Sequence, residues 1–296
     1  MTLREKIETK NAWLFMMPWA VGFAAFVAYP ILASLFFSFC DYSVLSPPKW
    51  IGLGNYVEIF RTPVTLRAIV RTFAFAVVAV PVSLVASFAL ALLLEKRAFG
   101  VGVFRTIFFL PALVPQVAVA ALLLWIFSTD GVVNNVLAWV GLGRVPWLSR
   151  DLILVTLLFM TVWGVGHSMV VFLAGLNEVP AELYESAQID GAGYLRRVWH
   201  VSFPLVSPVL LFNLVMGIIG ALGQFTIPYF IGSANTQREF GDAATFVATE
   251  INTQAMQNMR MGYASALSWL LLVAVIALTT LVMKLSAKVV HYQGEG

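Results

Sequence analysis

Apolar residues dominate this chain in six long runs separated by shorter polar segments. Residues 1–11 are polar and carry Arg4, Lys6 and Lys10, and the first apolar run then extends over 12–39. Further runs lie at 68–94, 106–127, 152–176, 205–231 and 263–285. Each exceeds the roughly 20 residues an α-helix needs to cross about 30 Å of hydrocarbon, so the pattern predicts six membrane-spanning helices. A cleaved signal peptide has a shorter apolar region of roughly 7–15 residues, so 12–39 reads as a retained first span. Trp13, Tyr29, Trp125, Trp147, Tyr229 and Tyr263 stand near the run edges, where aromatic belts form at the membrane–water boundary. The expected architecture is an all-α integral membrane protein: a tail at 1–11, one six-helix domain at 12–287, and a second tail at 288–296. No internal repeat, low-complexity tract or long linker divides it.

Composition agrees: 60% of residues are hydrophobic, 11% are charged, and the mean hydropathy is +0.88, the profile of a polytopic membrane protein. A formal charge of +3 spread over so few charged groups provides no nucleic-acid footprint. The single cysteine, Cys40, has no internal disulfide partner and reads as a space-filling residue near a membrane boundary. Ten of the eighteen lysines and arginines fall in the N-terminal tail, 95–105, 177–203 and the C-terminal end from Lys284 onward. That bias favours a topology with both termini and these loops in the cytoplasm and 41–67, 128–151 and 232–262 outside, without fixing it alone.

Several chemistries lack their residues. No carboxylate lies within a predicted span, which argues against proton coupling, because a proton-driven carrier keeps such a group there. Six spans without a repeat are also half the usual two-repeat secondary carrier. No G-x-x-x-x-G-K-[ST] phosphate loop occurs, so any ATP is hydrolysed by another chain. His167, His200 and His291 are far apart in sequence and form no metal-binding or nucleophile-activating pattern, so neither a metal site nor an enzyme active site is expected.

The most polar interruption, at 177–208, is also the most structured. Pro180 suits a first helical turn, Glu182 and Glu185 favour the positive end of a helix, and Gly191 and Gly193 allow the chain to turn out of it. Arg196, Arg197, Trp199 and Phe203 then lead to Pro204 and the fifth run. A short water-facing helix, a glycine turn and a second segment are expected. Glu185-Ser186-Ala187, then Gly191, then Val201-Ser202-Phe203-Pro204 reproduce the spacing Glu-Ala-Ala, three residues, Gly, nine residues, Ile-x-Leu-Pro. This resembles the cytoplasmic "EAA" loop of permease subunits of binding-protein-dependent ABC importers. The segments 183–185 and 189–192 (LYE, IDGA), 50–60 (WIGLGNYVEIF), 104–115 (FRTIFFLPALVP) and 262–267 (GYASAL) are similar to the carbohydrate-uptake branch, the maltose and sn-glycerol-3-phosphate type.

The resemblance implies a type I importer permease with a cytoplasmic coupling helix that docks on an ATPase. Leu183 and Ile189 would give apolar contact, Ala187, Gly191 and Ala192 close approach, and Glu185 a charge, with Ser186 and Asp190 in the same segment. It also implies a second, similar permease, two ATPase chains that hold the ATP and magnesium, and an extracytoplasmic solute-binding protein, in the cytoplasmic membrane of a prokaryote. This chain would bind no cofactor of its own.

Polar residues inside spans mark function or interhelical bonding. Gln116, Trp163, His167, Ser168, Asn213 and Gln224 are the candidates. Gly217, Gly220, Ala221 and Gln224 recur at helical spacing and form a small-residue face, which leaves room for a ligand or for a packed helix. By position relative to Pro111, the loop and Pro204, the resemblance implies solute contacts at Ala112 and Gln116, at about 164–168, and at Gly217, Gly220, Ala221 and Gln224. Amides and hydroxyls, with Trp163 or Phe225 covering a ring face, suit a neutral polyhydroxylated solute. The expected cargo is a sugar or oligosaccharide. A polyol or glycerol phosphodiester carried by the same class, or a cation-coupled carrier acting alone, are the alternatives. Pro18, Pro30, Pro81, Pro111, Pro115 and Pro228 lie inside the runs and either kink helices around a cavity or record irregular packing.

Overall fold

A computed structural model describes residues 3–95, 100–233 and 243–286; the predicted C-terminal tail, 288–296, lies outside the described residues. It is mainly helical and divides into two compact units, 1–63 with 250–270 and 64–249 with 271–296.

In the first unit, α1 (Leu3–Phe23) runs through a π-helical turn at Ala24–Ala28 into α2 (Tyr29–Ser38). Residues Asn11–Ser38 are long and apolar enough to cross a membrane. Trp13, Phe15, Trp19 and Phe26 stay exposed on this helix, as suits a surface facing lipid, where apolar side chains need no burial and only backbone groups must be satisfied. A feature the all-α expectation misses follows: β1 (Cys40–Ser43) pairs antiparallel with β2 (Ser46–Trp50). Pro47 and Pro48 lack the N–H that a helix requires, and this segment turns back as a short hairpin. The next helix, α3 (Gly54–Arg61), is tied to it by Asn55, which is buried and whose Nδ2 donates to the carbonyls of Ser38 and Cys40 at 2.9 Å. Gly262 belongs to the same unit, and a Cβ there would strike the carbonyl oxygen of Cys40. Arg260 pairs with Glu58 at 2.6 Å and lies over the Tyr263 ring.

The second unit opens with α4 (Pro63–Glu95), a 33-residue helix that continues through Pro81. The third apolar run is a broken one. It forms α5 (Val101–Leu113) and α6 (Gln116–Ile126), bent by 103°. Pro115 has no N–H to continue the helix and forces Val114 into extended backbone (φ −79, ψ 135), so the ladder stops and restarts. The fourth run bends by 45° between α8 (Ile153–Trp163) and α9 (Gly166–Asn177). The fifth passes from α13 (Ser207–Leu222) to α14 (Thr226–Ser233) through Gly223–Phe225. The final helix, Met261–Ser286, is continuous and qualifies as a span by itself. Four stretches thus qualify alone as spans and the two bent pairs qualify together, which gives six crossings when each pair counts as one.

Two apolar clusters hold the second unit together. One gathers Phe75, Leu123, Ile153, Leu157, Met160, Ile231 and Phe246, with the rings of Phe75 and Phe246 edge to face at 5.3 Å. The other joins Ala91, Leu94, Met169, Phe172, Leu176, Val179 and Val206.

Between α6 and α8 the connecting segment folds around α7 (Val132–Trp139) and one buried amide. Asn134 Nδ2 donates to the carbonyls of Ser128, Thr129 and Val145, while its Oδ1 accepts from Val145 N at 2.9 Å and Trp147 Nε1 at 3.2 Å. Trp147 in turn packs against Phe127 and Phe159. Asn134→Ala strands these buried partners at a cost of about 1–3 kcal/mol. The expected result is a fall of about 5 °C in the Tm of the detergent-solubilised chain, read by differential scanning fluorimetry, with Asn135→Ala as the near-neutral control.

Candidate functional site

The breaks in the third, fourth and fifth runs meet. Ending a helix inside a membrane frees backbone groups that must bond to neighbours or face a polar cavity, and discontinuous spans are where transporters commonly place their solute. Two cavities lie at this level. The first, about 340 Å³, is lined among others by Ala112, Gln116, Trp163, His167 and Gln224. The second, about 440 Å³, is lined among others by Gln116, Ser168, Gly217, Gly220, Ala221 and Gln224. Of the residues expected near a solute, Ala112, Gln116, Trp163, His167, Ser168, Gly217, Gly220, Ala221 and Gln224 line one cavity or both, and Gly166 and Asn213 line neither.

Gln116, Thr161, Gly164, Gln224 and Thr226 line both cavities and form the wall they share. Thr226 Oγ1 donates to Gln116 Oε1 at 3.2 Å, joining the start of α14 to the start of α6. Sequence reasoning overlooked Thr161 and Thr226. Thr161 bonds back to the Leu157 carbonyl at 2.9 Å, the usual economy of a hydroxyl inside a helix, so nothing local sets it apart. Thr226 becomes notable only once Gln224 and Gly223 are known to end a helix. The small-residue face resolves into two roles: a Cβ on Gly217 would sit 3.3 Å from Val80 Cγ1, whereas one on Gly220 would meet nothing within 4 Å. Gly217 serves close packing and Gly220 leaves space. Asn213 is buried and spends its Nδ2 on the Val209 carbonyl of its own helix, away from both cavities.

Gly166 holds the breaks in place. A Cβ there would collide with the carbonyl oxygen of Phe108 and lie about 3 Å from backbone atoms of Phe108 and Phe109, so α5 and α9 approach backbone to backbone. Small residues permit this in membrane helices, where close packing replaces the hydrophobic drive.

The loop between the fourth and fifth runs forms as its sequence suggests. After Pro180, whose extended backbone (ψ 131) starts it, α10 (Ala181–Ile189) carries Glu182 in its first turn. Gly191 then adopts φ +75, and the amides of Gly191 and Ala192 bond to the carbonyls of Gln188 and Ala187 at 3.0 and 2.9 Å. That pair of bonds is a Schellman termination, which places a residue in left-handed backbone where glycine is favoured. Gly193, expected to assist by its freedom, instead has φ −65 and ψ 168, backbone any residue adopts. Leu183 and Ile189 are exposed, Ile189 at 88%, with Glu185, Ser186, Asp190 and Gly191 also open to solvent and Ala187 and Ala192 half-buried. Leu183 and Ile189 thus put two apolar side chains on the solvent side of an otherwise polar helix. Behind the tip, α11 (Tyr194–Arg197) and a π-helical turn at Val198–Ser202 lead into α12 (Phe203–Leu205) and α13. The Tyr194 phenol is pushed up in pKa by burial, with Glu95 adding to the rise and Arg197 opposing it.

Comparison with known proteins places this architecture. Residues 87–291 match the family described as the binding-protein-dependent transport system inner membrane component. The chain is 36% identical over 290 residues to the probable ABC transporter permease protein YesP of Bacillus subtilis, covering 96% of this chain and 92% of that one. It is 34% identical over 224 residues to the lactose transport system permease protein LacF of Rhizobium radiobacter, covering 74% and 75%. Its fold matches a chain of a bacterial alginate ABC transporter, solved in complex with an alginate pentasaccharide-bound periplasmic protein, with TM-score 0.81, 24% identity and 97% of each chain covered. With a family match over most of its length and a relative this similar across nearly all of it, the chain belongs to the inner membrane components of binding-protein-dependent transport systems, the permeases of ABC importers.

Proposed function

We propose that this chain is a permease subunit through which an ATP-driven importer moves a neutral sugar or oligosaccharide delivered by an extracytoplasmic binding protein. The observation that carries the solute class is the lining of the two cavities. Among the described residues neither contains a lysine or arginine, and both present amides and hydroxyls from Gln116, Thr161, Gln224 and Thr226, with the aromatic faces of Trp163 and Phe225 beside them. Uncharged donors and acceptors recognise hydroxyls, and an aromatic face covers the apolar side of a sugar ring. A phosphate or uronate would call for a paired cation instead.

In this reading α10 docks on a cytosolic ATPase through Leu183, Glu185, Ile189 and the Gly191–Ala192 turn. A second, similar permease completes the pathway, and two ATPase chains hold ATP and magnesium. Both termini then lie in the cytoplasm of a prokaryote, with the chain in its cytoplasmic membrane. The lactose permease named above supports a saccharide cargo.

The test is to purify the tagged chain with its natural partners, reconstitute the assembly in liposomes, and screen solutes for stimulation of ATP hydrolysis with the binding protein present. Stimulation by a neutral saccharide is expected. Transport by the chain alone without ATP, or stimulation only by an anionic solute, overturns the proposal. In the same assay Gln116→Leu and Gln224→Leu should each lower the solute-stimulated rate about three- to tenfold, the loss expected for one hydrogen bond, while the binding protein's own affinity stays unchanged.

A further inference from the structure

Tyr184 lies on the side of α10 opposite the exposed tip. It packs with Val201 and Leu205 against the cluster of Leu94, Phe172, Leu176 and Val206. Its phenol oxygen and Ser202 Oγ share a 2.9 Å hydrogen bond. Ser202 is 1% exposed and ends the π-helical turn that feeds the fifth run. Neither residue figures among those expected to act.

The chain path from α10 to the fifth run passes through the solvent-facing glycine turn at 191–193, held by two backbone hydrogen bonds back to α10 and, among the described residues, none of its own to the fifth run. Force applied to the tip of α10 is absorbed in such a turn unless a second link crosses it. Packing alone is a poor link here, because a cavity of about 270 Å³, lined by Glu95, Tyr184, Tyr194, Arg197, Val198 and Ser202, adjoins the phenol. With space on one side of the ring, the hydrogen bond is what sets its position. Arg197 Nε, buried nearby, bonds to neither oxygen. Burial also pushes the Tyr184 phenol above its ordinary pKa, with the Ser202 bond opposing, so the group keeps its proton across the physiological range.

We propose that Tyr184 and Ser202 form a positioning pair, a strut across the glycine turn that passes movement of α10 to the foot of the fifth span. The proposal rests on reading 177–208 as the ATPase-docking loop. Two consequences separate a strut from a merely stabilising contact. Losing either oxygen should lower the solute moved per ATP rather than the amount of assembled complex, and restoring a hydroxyl should restore the ratio.

The experiment uses the full importer in liposomes, with solute uptake and ATP hydrolysis measured on the same sample and the captured ATPase quantified. Tyr184→Phe and Ser202→Ala should each lower solute moved per ATP about fivefold, the scale of one hydrogen bond, with ATPase capture equal to the parent. The double variant Tyr184→Phe/Ser202→Ala should be no worse than either single one, because both remove the same bond. Ser202→Thr keeps the hydroxyl and should stay within twofold of the parent. An unchanged ratio in both single variants overturns the pair alone. So does a variant that loses the ratio only in proportion to lost ATPase capture, or a Ser202→Thr variant as impaired as Ser202→Ala. A parent chain that captures no ATPase overturns the docking-loop reading, and the pair with it.

Discussion

Gly166→Ala should lower the Tm of the purified permease by about 5–10 °C and abolish transport, and Gly166→Leu should leave no folded protein in the membrane. The added carbon meets backbone on the far side, the carbonyl of Phe108 and the Cα of Phe109, so no side-chain rotation relieves it and α5 and α9 must separate. Overpacking of this kind costs about 1–3 kcal/mol where neighbours can adjust, and backbone adjusts least. The loss reaches beyond stability because Gly166 begins α9 immediately after the bend at Gly164, and its contact is the turn of α5 that precedes Pro111 and the Val114 break. Separating them pulls Gln116 away from Trp163 and His167. Gly220→Ala is the informative comparison. It too adds one methyl, but nothing lies within 4 Å of it. Its Tm should match the parent within about 1 °C, and only solute passage should suffer, since the methyl enters the second cavity. Equal Tm losses in the two variants would mean that the spans are not packed as described.

The contrast between these glycines also marks where reading the sequence stops. The six apolar runs were legible because crossing a bilayer demands length and hydrophobicity, and both are written in composition alone. The loop was legible for a similar reason: its glycine and its acids answer to local backbone and dipole rules. Pro115 is one of six prolines that the sequence leaves open between a kink and irregular packing, and nothing local gives its 103° bend, since the angle depends on what α6 packs against after the ladder stops. Gly217 and Gly220 are equivalent in any sequence window, and only the position of Val80, far away in the chain, divides them into a packing residue and a space. Nothing in the local sequence sets Asn55 and Asn134 apart, and their roles appear only with the carbonyls they gather. Thr226 and Tyr184 went unremarked for the same reason. Their partners, Gln116 and Ser202, stand 110 and 18 residues away. What local pattern predicts is elements and their ends; what it misses is which ends meet.

Gly191→Val should reduce solute transport more than tenfold while leaving the amount, Tm and membrane insertion of the chain near those of the parent. Gly191 sits at φ +75, where a side chain on an L-residue crowds the following carbonyl at a cost of about 1–2 kcal/mol, and more for a β-branched one. Nothing within 4 Å blocks a Cβ at this position, so the penalty is conformational and not steric packing. The loop escapes it by abandoning left-handed backbone. The Schellman bonds from Gly191 and Ala192 then break, and α10 frays at the end that presents Ile189. Because the turn is exposed and outside both apolar clusters, the spans have no reason to unfold, and the damage should be confined to the ATPase docking proposed for α10. Gly191→Asn separates this account from a simple demand for a small residue. Asparagine is larger than alanine but enters left-handed backbone more readily, because its short polar side chain bonds locally. Transport should therefore rank glycine, then asparagine, then alanine, then valine, with ATPase capture from solubilised membranes following the same order. If alanine outperforms asparagine, size rather than backbone conformation governs the turn. If all four transport alike, α10 is not the element through which the ATPase drives this permease.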